Sequence, residues 1–177
     1  MKNDESLQSV VLGGGCFWCI EAALRLVDGV VEATSGYAGG ATADPNYQDV
    51  CRGNTGHAEV VKVDFDAGVV SLDEILDVFF TAHDPTTLNR QGGDRGTQYR
   101  SVVLYDSDEQ KARVEHFIAD LAPKYSRPIV TEVARLEKFY PAEEYHQRYF
   151  EKNPGAGYCQ MVVSPKVEKV KSKLDAK

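Results

Sequence analysis

The sequence predicts a sandwich of helices on a β-sheet, of α+β or α/β class, with the sheet mixed or antiparallel. Three observations predict it. Segments of strand period and of helix period follow one another roughly as β-α-β-β-α-β-α-β-α. At 177 residues, 42% of them hydrophobic, the chain is sized for a single domain, 1–177, with a sizeable core. No internal repeat or linker divides it. A split βαβ arrangement fits this order, which by itself says nothing of function.

The elements come in turn. Ser9 to Leu12 (SVVL) reads as a short buried strand running into Gly13, Gly14 and Gly15. Phe17, Ile20, Ala23, Leu24 and Val27 then recur at helical spacing until Asp28-Gly29. Val30 to Gly36 is a strand, and Tyr37 to Asn54, rich in Gly, Asp, Asn and Pro, is a long loop. Loops of that length inside a compact domain are often functional. His57 to Asp66 alternates with period two, as a strand does. Ser71 and Glu74 form a capping box for a helix to Ala82, with Leu72, Ile75, Leu76 and Phe79 as its stripe. A second polar, glycine-rich segment, His83 to Arg100, leads to a strand at Ser101 to Tyr105. Ser107 and Gln110 open a helix that buries Val114, Phe117, Ile118 and Leu121. Ile129 to Leu136 is the last clear strand, and Pro141 to Phe150 a short helix. The charged tail from Pro165 is either a short exposed helix or disordered.

The formal net charge of −7 argues against a nucleic-acid surface and against attraction to anionic lipid. No apolar run approaches the ~20 residues of a membrane helix. The start MKNDESLQSV has no signal-peptide pattern, so a cytoplasmic location is expected.

Four cysteines need a reading, and a chain of this length does not depend on disulfide staples. Cys16 follows three glycines and stands at or beside a helix start. A thiol acts as a nucleophile when ionised, and a helix N-terminus lowers its pKa from ~8.5. The glycines would let a substrate come close. The plain alternative is a buried small hydrophobe. Cys16 to Cys19 is also a C-x-x-C, readable as a redox pair or as half of a zinc site. A second C-x-x-C is missing, so zinc is the weaker reading. Phe17 and Trp18 are adjacent on the helix and point about 100° apart. At least one is therefore left to line the space beside Cys16.

The stretches GCFWC (15–19), YQDVCRGNTGHAEVV (47–61), HDPTTLNRQGGDRGTQYRS (83–101) and AEEYHQRYFEKNP (142–154) together resemble the peptide methionine sulfoxide reductase A family. That resemblance runs from about Val10 to about Cys159. It implies a ferredoxin-like two-layer α+β sandwich with a mixed sheet, helices on the sheet and long functional loops. It implies reduction of the S epimer of methionine sulfoxide, free or in peptides and proteins, an oxidative-damage repair reaction. By the same resemblance Cys16 is the nucleophile, and Phe17 and Trp18 hold the methyl group on sulfur. Glu59 protonates the sulfoxide oxygen, Tyr47 and Tyr99 hydrogen-bond it, and Asp94 contacts the substrate or positions the site. Thioredoxin is the implied reductant, and no metal or other cofactor is implied.

These roles have a physical logic. Attack on sulfoxide sulfur pushes charge onto oxygen, which must be protonated to leave. Desolvation would raise a strand carboxyl such as Glu59 if it faces the pocket, whereas the commoner fate is an exposed carboxylate. Tyr47 and Tyr99 otherwise read as half-buried tyrosines, and Asp94 as a turn residue in GGDRG. His57 and His146 are read as structural. A second thiol must then condense with oxidised Cys16. The resemblance implies Cys159, glycine-flanked and free to swing, as the expected first resolver, with Cys19 taking the disulfide by exchange; Cys19, nearest in sequence, is the alternative resolver. Cys51 is expected to be a buried bystander. A general thiol–disulfide exchanger using Cys16 and Cys19 is the alternative.

Overall fold

A computed structural model describes residues 6–176. The polar start, on which the lack of a leader was read, lies partly outside them, as does the last residue of the tail. Six strands form one sheet in the order β7-β6-β1-β3-β2-β8. They are β1 (Leu7–Gly13), β2 (Val30–Ala38), β3 (Ala58–Asp66), β6 (Val102–Tyr105), β7 (Glu132–Arg135) and β8 (Phe139–Pro141). All neighbours are antiparallel except β6 and β7, which run parallel, so the sheet is mixed. A separate two-residue hairpin pairs β4 (Arg90–Gln91) with β5 (Asp94–Arg95).

Period two sorts the side chains between the faces. Val10, Leu12, Val61, Val63, Phe65 and Val103 point to the main core. Their neighbours Val11, Val60, Val102 and Leu104 form a smaller cluster on the other face, against Ala134, Leu136 and Phe139. The main core is closed by α1 (Phe17–Leu24), α3 (Leu72–Ala82), α4 (Asp108–Leu121) and α6 (Ser164–Asp175). Helix α2 (Tyr47–Cys51) and helix α5 (Tyr149–Lys152) are short pieces at the site end. The capping predictions hold. Ser71 accepts the Glu74 N–H at 3.1 Å, and Ser107 accepts that of Gln110 at 3.2 Å.

Four expectations need correction. The segment from Tyr37 is not all loop: β2 continues to Ala38, and Asn46 caps α2 through the Asp49 N–H at 2.9 Å. The strand expected over 129–136 is only β7, because Val130 gives its N–H to the Pro85 carbonyl at 2.8 Å. The helix expected over 141–150 is β8, a 3₁₀ turn at Glu144–His146 and then α5. Arg148 in the left-handed region, φ 54°, breaks helical continuity there. Finally, the tail is neither disordered nor merely exposed. Val167, Val170 and Leu174 on α6, with Val163 just before it, make a stripe that enters the main core. Lys173 adds a bond to Asp77 at 2.7 Å.

Candidate active site

The turn from β1 into α1 is tight rather than loose. A Cβ on Gly13 would lie 2.7 Å from the Glu59 carbonyl oxygen, and one on Gly14 2.5 Å from the His83 ring. Gly15 has φ 81°, which other residues rarely adopt, and its N–H donates to the Tyr99 carbonyl at 3.1 Å. The glycines therefore serve close packing of the protein's own chain around Cys16. They draw β3, His83 and the Tyr99 turn in around Cys16, the N-cap residue of α1.

The first N–H groups of a helix lack intrahelical partners. Here the Phe17 N–H donates to Glu59 Oε1 at 3.2 Å, and the Trp18 N–H is directed at the Cys16 sulfur. Cys16 is 7% exposed. Burial raises its pKa well above the ordinary thiol value, and the charges of Glu59 and Cys19 push the same way. The Trp18 N–H and the Tyr158 hydroxyl oppose them and lose. The helix start was expected to ionise this thiol. Desolvation outweighs it, and Cys16 rests as a thiol.

Glu59 shares strand parity with Val61, Val63 and Phe65, so it faces the core beside Cys16. It is 1% exposed, and Oε2 has no partner among the described residues. Burial raises its pKa to about 8, and Asp94 adds to that, while the Phe17 N–H pulls the other way. At neutral pH this carboxyl carries a proton.

Aromatic rings enclose the thiol. Phe17 is buried, with ring centres 5.8 Å from Tyr37, 6.4 Å from Tyr47 and 5.1 Å from His146. Trp18 diverges as helix geometry requires. It is half-buried, stacks on Tyr149 at 3.7 Å and donates Nε1–H to His146 Nδ1 at 3.2 Å. Tyr47 opens α2, its N–H donating to Glu143 at 3.2 Å, and Tyr99 ends the 3₁₀ turn Thr97–Tyr99. Burial raises both phenols, and each feels Glu59 before any other charge. Both stay neutral donors beside the carboxyl. Asp94 is half-buried at the rim and accepts the Tyr158 hydroxyl at 2.6 Å.

The fold thus gathers Cys16, Phe17, Trp18, Tyr47, Glu59 and Tyr99 at one end of the sheet, with Asp94 at its edge. All four cysteines are free. Cys19 and Cys159 are fully buried in the same apolar cluster as Cys16. Burial lifts Cys19 to about 11, with Lys166 the main opposing influence. Cys159 does not sit on a free end. It begins a π-helical turn, Cys159–Val163, that runs directly into α6. Cys51 is no buried bystander but exposed, and the Tyr47 hydroxyl bonds to it. His57 is structural, bracing the loop through the Gly40 N–H at 3.0 Å and the Thr42 carbonyl at 2.7 Å.

Sequence reasoning set His146 aside as structural and did not single out Tyr158. His146 is buried among Phe17, Trp18, Tyr47 and Tyr145, and burial lowers its pKa. Its Nε2 has no partner among the described residues. Buried Glu21 anchors the segment that carries it, accepting the Arg148 N–H at 3.1 Å and the Ser35 hydroxyl at 3.2 Å. Tyr158 covers the thiol edge-on to Trp18 at 5.7 Å. Its single hydroxyl proton serves either Asp94 or the Cys16 sulfur. The local signal was the aromatic density of AEEYHQRYFEKNP and PGAGYC, which has no periodicity to explain it.

This arrangement can attack a soft electrophile beside a protonated acid, with a second thiol in the same cluster. Comparison with known proteins agrees. A protein from Natronomonas pharaonis named peptide methionine sulfoxide reductase MsrA is 58% identical over 165 residues, 92% of this chain and 93% of that one. The crystal structure of Mxr1 from Saccharomyces cerevisiae in reduced form matches with TM-score 0.84 at 38% identity, covering 90% of this chain and 92% of that one. The structure of Mxr1 in complex with Trx2 matches with TM-score 0.61 at 28% identity, covering 84% and 88%. The family model for peptide methionine sulfoxide reductase matches residues 8–177, and the chain belongs to that family.

Proposed function

We propose that this chain is a peptide-methionine (S)-S-oxide reductase acting through Cys16, as one catalytic domain over its length. The observation that carries the mechanism is a protonated, buried carboxyl, Glu59, beside a buried thiol in an aromatic box. The sulfoxide methyl group fits the apolar wall of Phe17 and Trp18, and its oxygen fits the donors Glu59, Tyr47 and Tyr99. The partial positive charge on sulfoxide sulfur adds to the Trp18 N–H and the Tyr158 hydroxyl in stabilising a Cys16 thiolate. Sulfur attack forms the S–S contact as Glu59 gives its proton to the departing oxygen. That oxygen leaves as water, taking up the Cys16 proton as well. A water molecule then attacks the Cys16 sulfur and returns a proton to Glu59. The S–S bond breaks, methionine leaves, and Cys16 is left as the sulfenic acid. The Cys159 thiol then attacks the Cys16 sulfur, expelling water and forming a disulfide. Cys19 takes that disulfide by exchange, and a dithiol reductant restores both thiols. Asp94 acts as a positioning residue, since its carboxylate already holds Tyr158.

Thioredoxin is the proposed reductant, a reading supported by the Mxr1 complex with Trx2. No helix among the described residues is long and apolar enough to cross a membrane. A cytoplasmic location belongs to the same proposal, because cycling thiols need a supply of reductant. Full burial of Cys19 argues against an exchanger working from an exposed Cys16–Cys19 pair.

Incubation with dithiothreitol and peptides bearing separated S- and R-sulfoxides tests the reaction by mass spectrometry. Loss of one oxygen from the S peptide alone is expected. Loss from neither, or from the R peptide alone, would overturn it.

A further inference from the structure

A cleft of about 770 Å³ opens on the far side of Tyr158 and Asp94. That volume lies in the range of small-ligand pockets. Phe80, Ala82 and Val162 give it an apolar lining, and His83 is kept uncharged by burial, its pKa lowered to about 4. Three cations stand around it: Arg127, Lys166 and Lys169. Lys166 and Lys169 sit three apart on α6, on one helical face, while Val167 and Val170 turn into the core. None of the three cations makes a hydrogen bond or ion pair among the described residues.

The two carboxylates in the same lining are already engaged. Asp84 accepts the Thr86 N–H at 2.9 Å and its hydroxyl at 2.5 Å, and its charge is felt by Arg127 only at longer range. Asp94 accepts Tyr158. In a chain of net charge −7, three unpaired cations around one cleft are a local reversal of sign. The cleft also adjoins the chemistry. The Lys166 amine lies 3.9 Å from where a Gly15 Cβ would be, directly before Cys16. Tyr158 separates the cleft from the Cys16 sulfur.

We propose that this cleft receives the polypeptide flanking the oxidised methionine and favours aspartate or glutamate there, Arg127, Lys166 and Lys169 pairing with the carboxylate. The inference rests on the reductase reading. A residue spans at most ~3.6 Å of extended chain, so neighbours one to four positions from the methionine reach along the cleft from the Asp94–Tyr158 rim. The apolar lining takes the stem of the acidic side chain, and the cations take its head.

The test uses capped peptides with one S-sulfoxide and either Glu or Gln at one to four positions on either side of it. Dithiothreitol is the reductant, which keeps thioredoxin docking out of the measurement. At low salt the best-placed Glu peptide is expected to exceed its Gln partner in kcat/KM by roughly three- to five-fold, mainly through KM. That ratio is expected to fall towards one in the Arg127→Gln/Lys169→Gln double variant, and towards one at high salt. Both side chains are exposed and have no partner among the described residues, so folding is not at stake. Equal rates for Glu and Gln at every position would overturn the subsite. So would a ratio that survives the double variant, or a double variant impaired only when thioredoxin is the reductant. Failure to reduce any peptide, neutral ones included, would instead overturn the reductase reading itself.

Discussion

A carboxyl with a pKa of about 8 keeps its proton at neutral pH, and that proton orders the chemistry around Cys16. Glu59→Gln removes it while keeping size and the contact with the Phe17 N–H. Its kcat is expected to fall roughly 10²- to 10⁴-fold, with KM little changed. Stability gives an independent reading. Folding raises this carboxyl from 4.5 to about 8, so between those values the folded chain holds a proton that the unfolded chain has released. The Glu59 contribution is therefore fully present below 4.5, is lost as pH rises through about 8, and is constant above that. The Gln variant lacks this slope. Denaturant melts of both proteins across that range check it, and parallel curves would contradict the burial argument. Period two allowed Glu59 either face, and only the core partners of Val61 and Phe65 decide which. His146 was less legible still. Its place depends on Glu21 tying down a distant segment, a contact with no local signature.

At the scale of elements, legibility followed period and caps. The strands with alternating residues and the helices with Ser caps stood out because local sequence alone specifies them. The segments after Leu136 did not, because their form depends on partners. β8 exists through pairing with β2, and α6 through burial of its valine stripe. That stripe is sparse, and the charged residues around it hide it. Docking of α6 is testable by Val170→Ala, a fully buried site. The expected cost is ~2 kcal/mol, or roughly 4–8 °C in Tm. Lys171→Ala, exposed on the same helix, is expected to change Tm by less than ~2 °C. Equal, negligible effects would mean an undocked tail. Because the Cys159 turn runs straight into α6, docking also fixes where the expected resolving thiol rests.

Across the whole molecule, the family's long motifs lie far apart in sequence and meet at one end of the sheet. The end of β1 brings Cys16, β3 brings Glu59, α2 brings Tyr47, and the 3₁₀ turn Thr97–Tyr99 brings Tyr99. The order of elements made the α+β class legible, but the strand order β7-β6-β1-β3-β2-β8 is a product of long-range pairing that no local pattern encodes. The resting molecule holds its three buried thiols reduced in one apolar cluster, with Tyr158 over the first. In the proposed cycle the Tyr158–Cys159 segment shifts once Cys16 is oxidised, bringing the Cys159 sulfur to it. The central claim is that Cys16 becomes the sulfenic acid and Cys159 resolves it. One measurement tests it most directly: intact-protein and peptide mass spectrometry of Cys159→Ser after mixing with excess S-sulfoxide peptide and no reductant. The account predicts one methionine peptide formed per chain and one added oxygen, mapped to Cys16, with thioredoxin-driven turnover lost. Full thioredoxin-driven turnover in this variant, or oxygen found on any other cysteine, would contradict it.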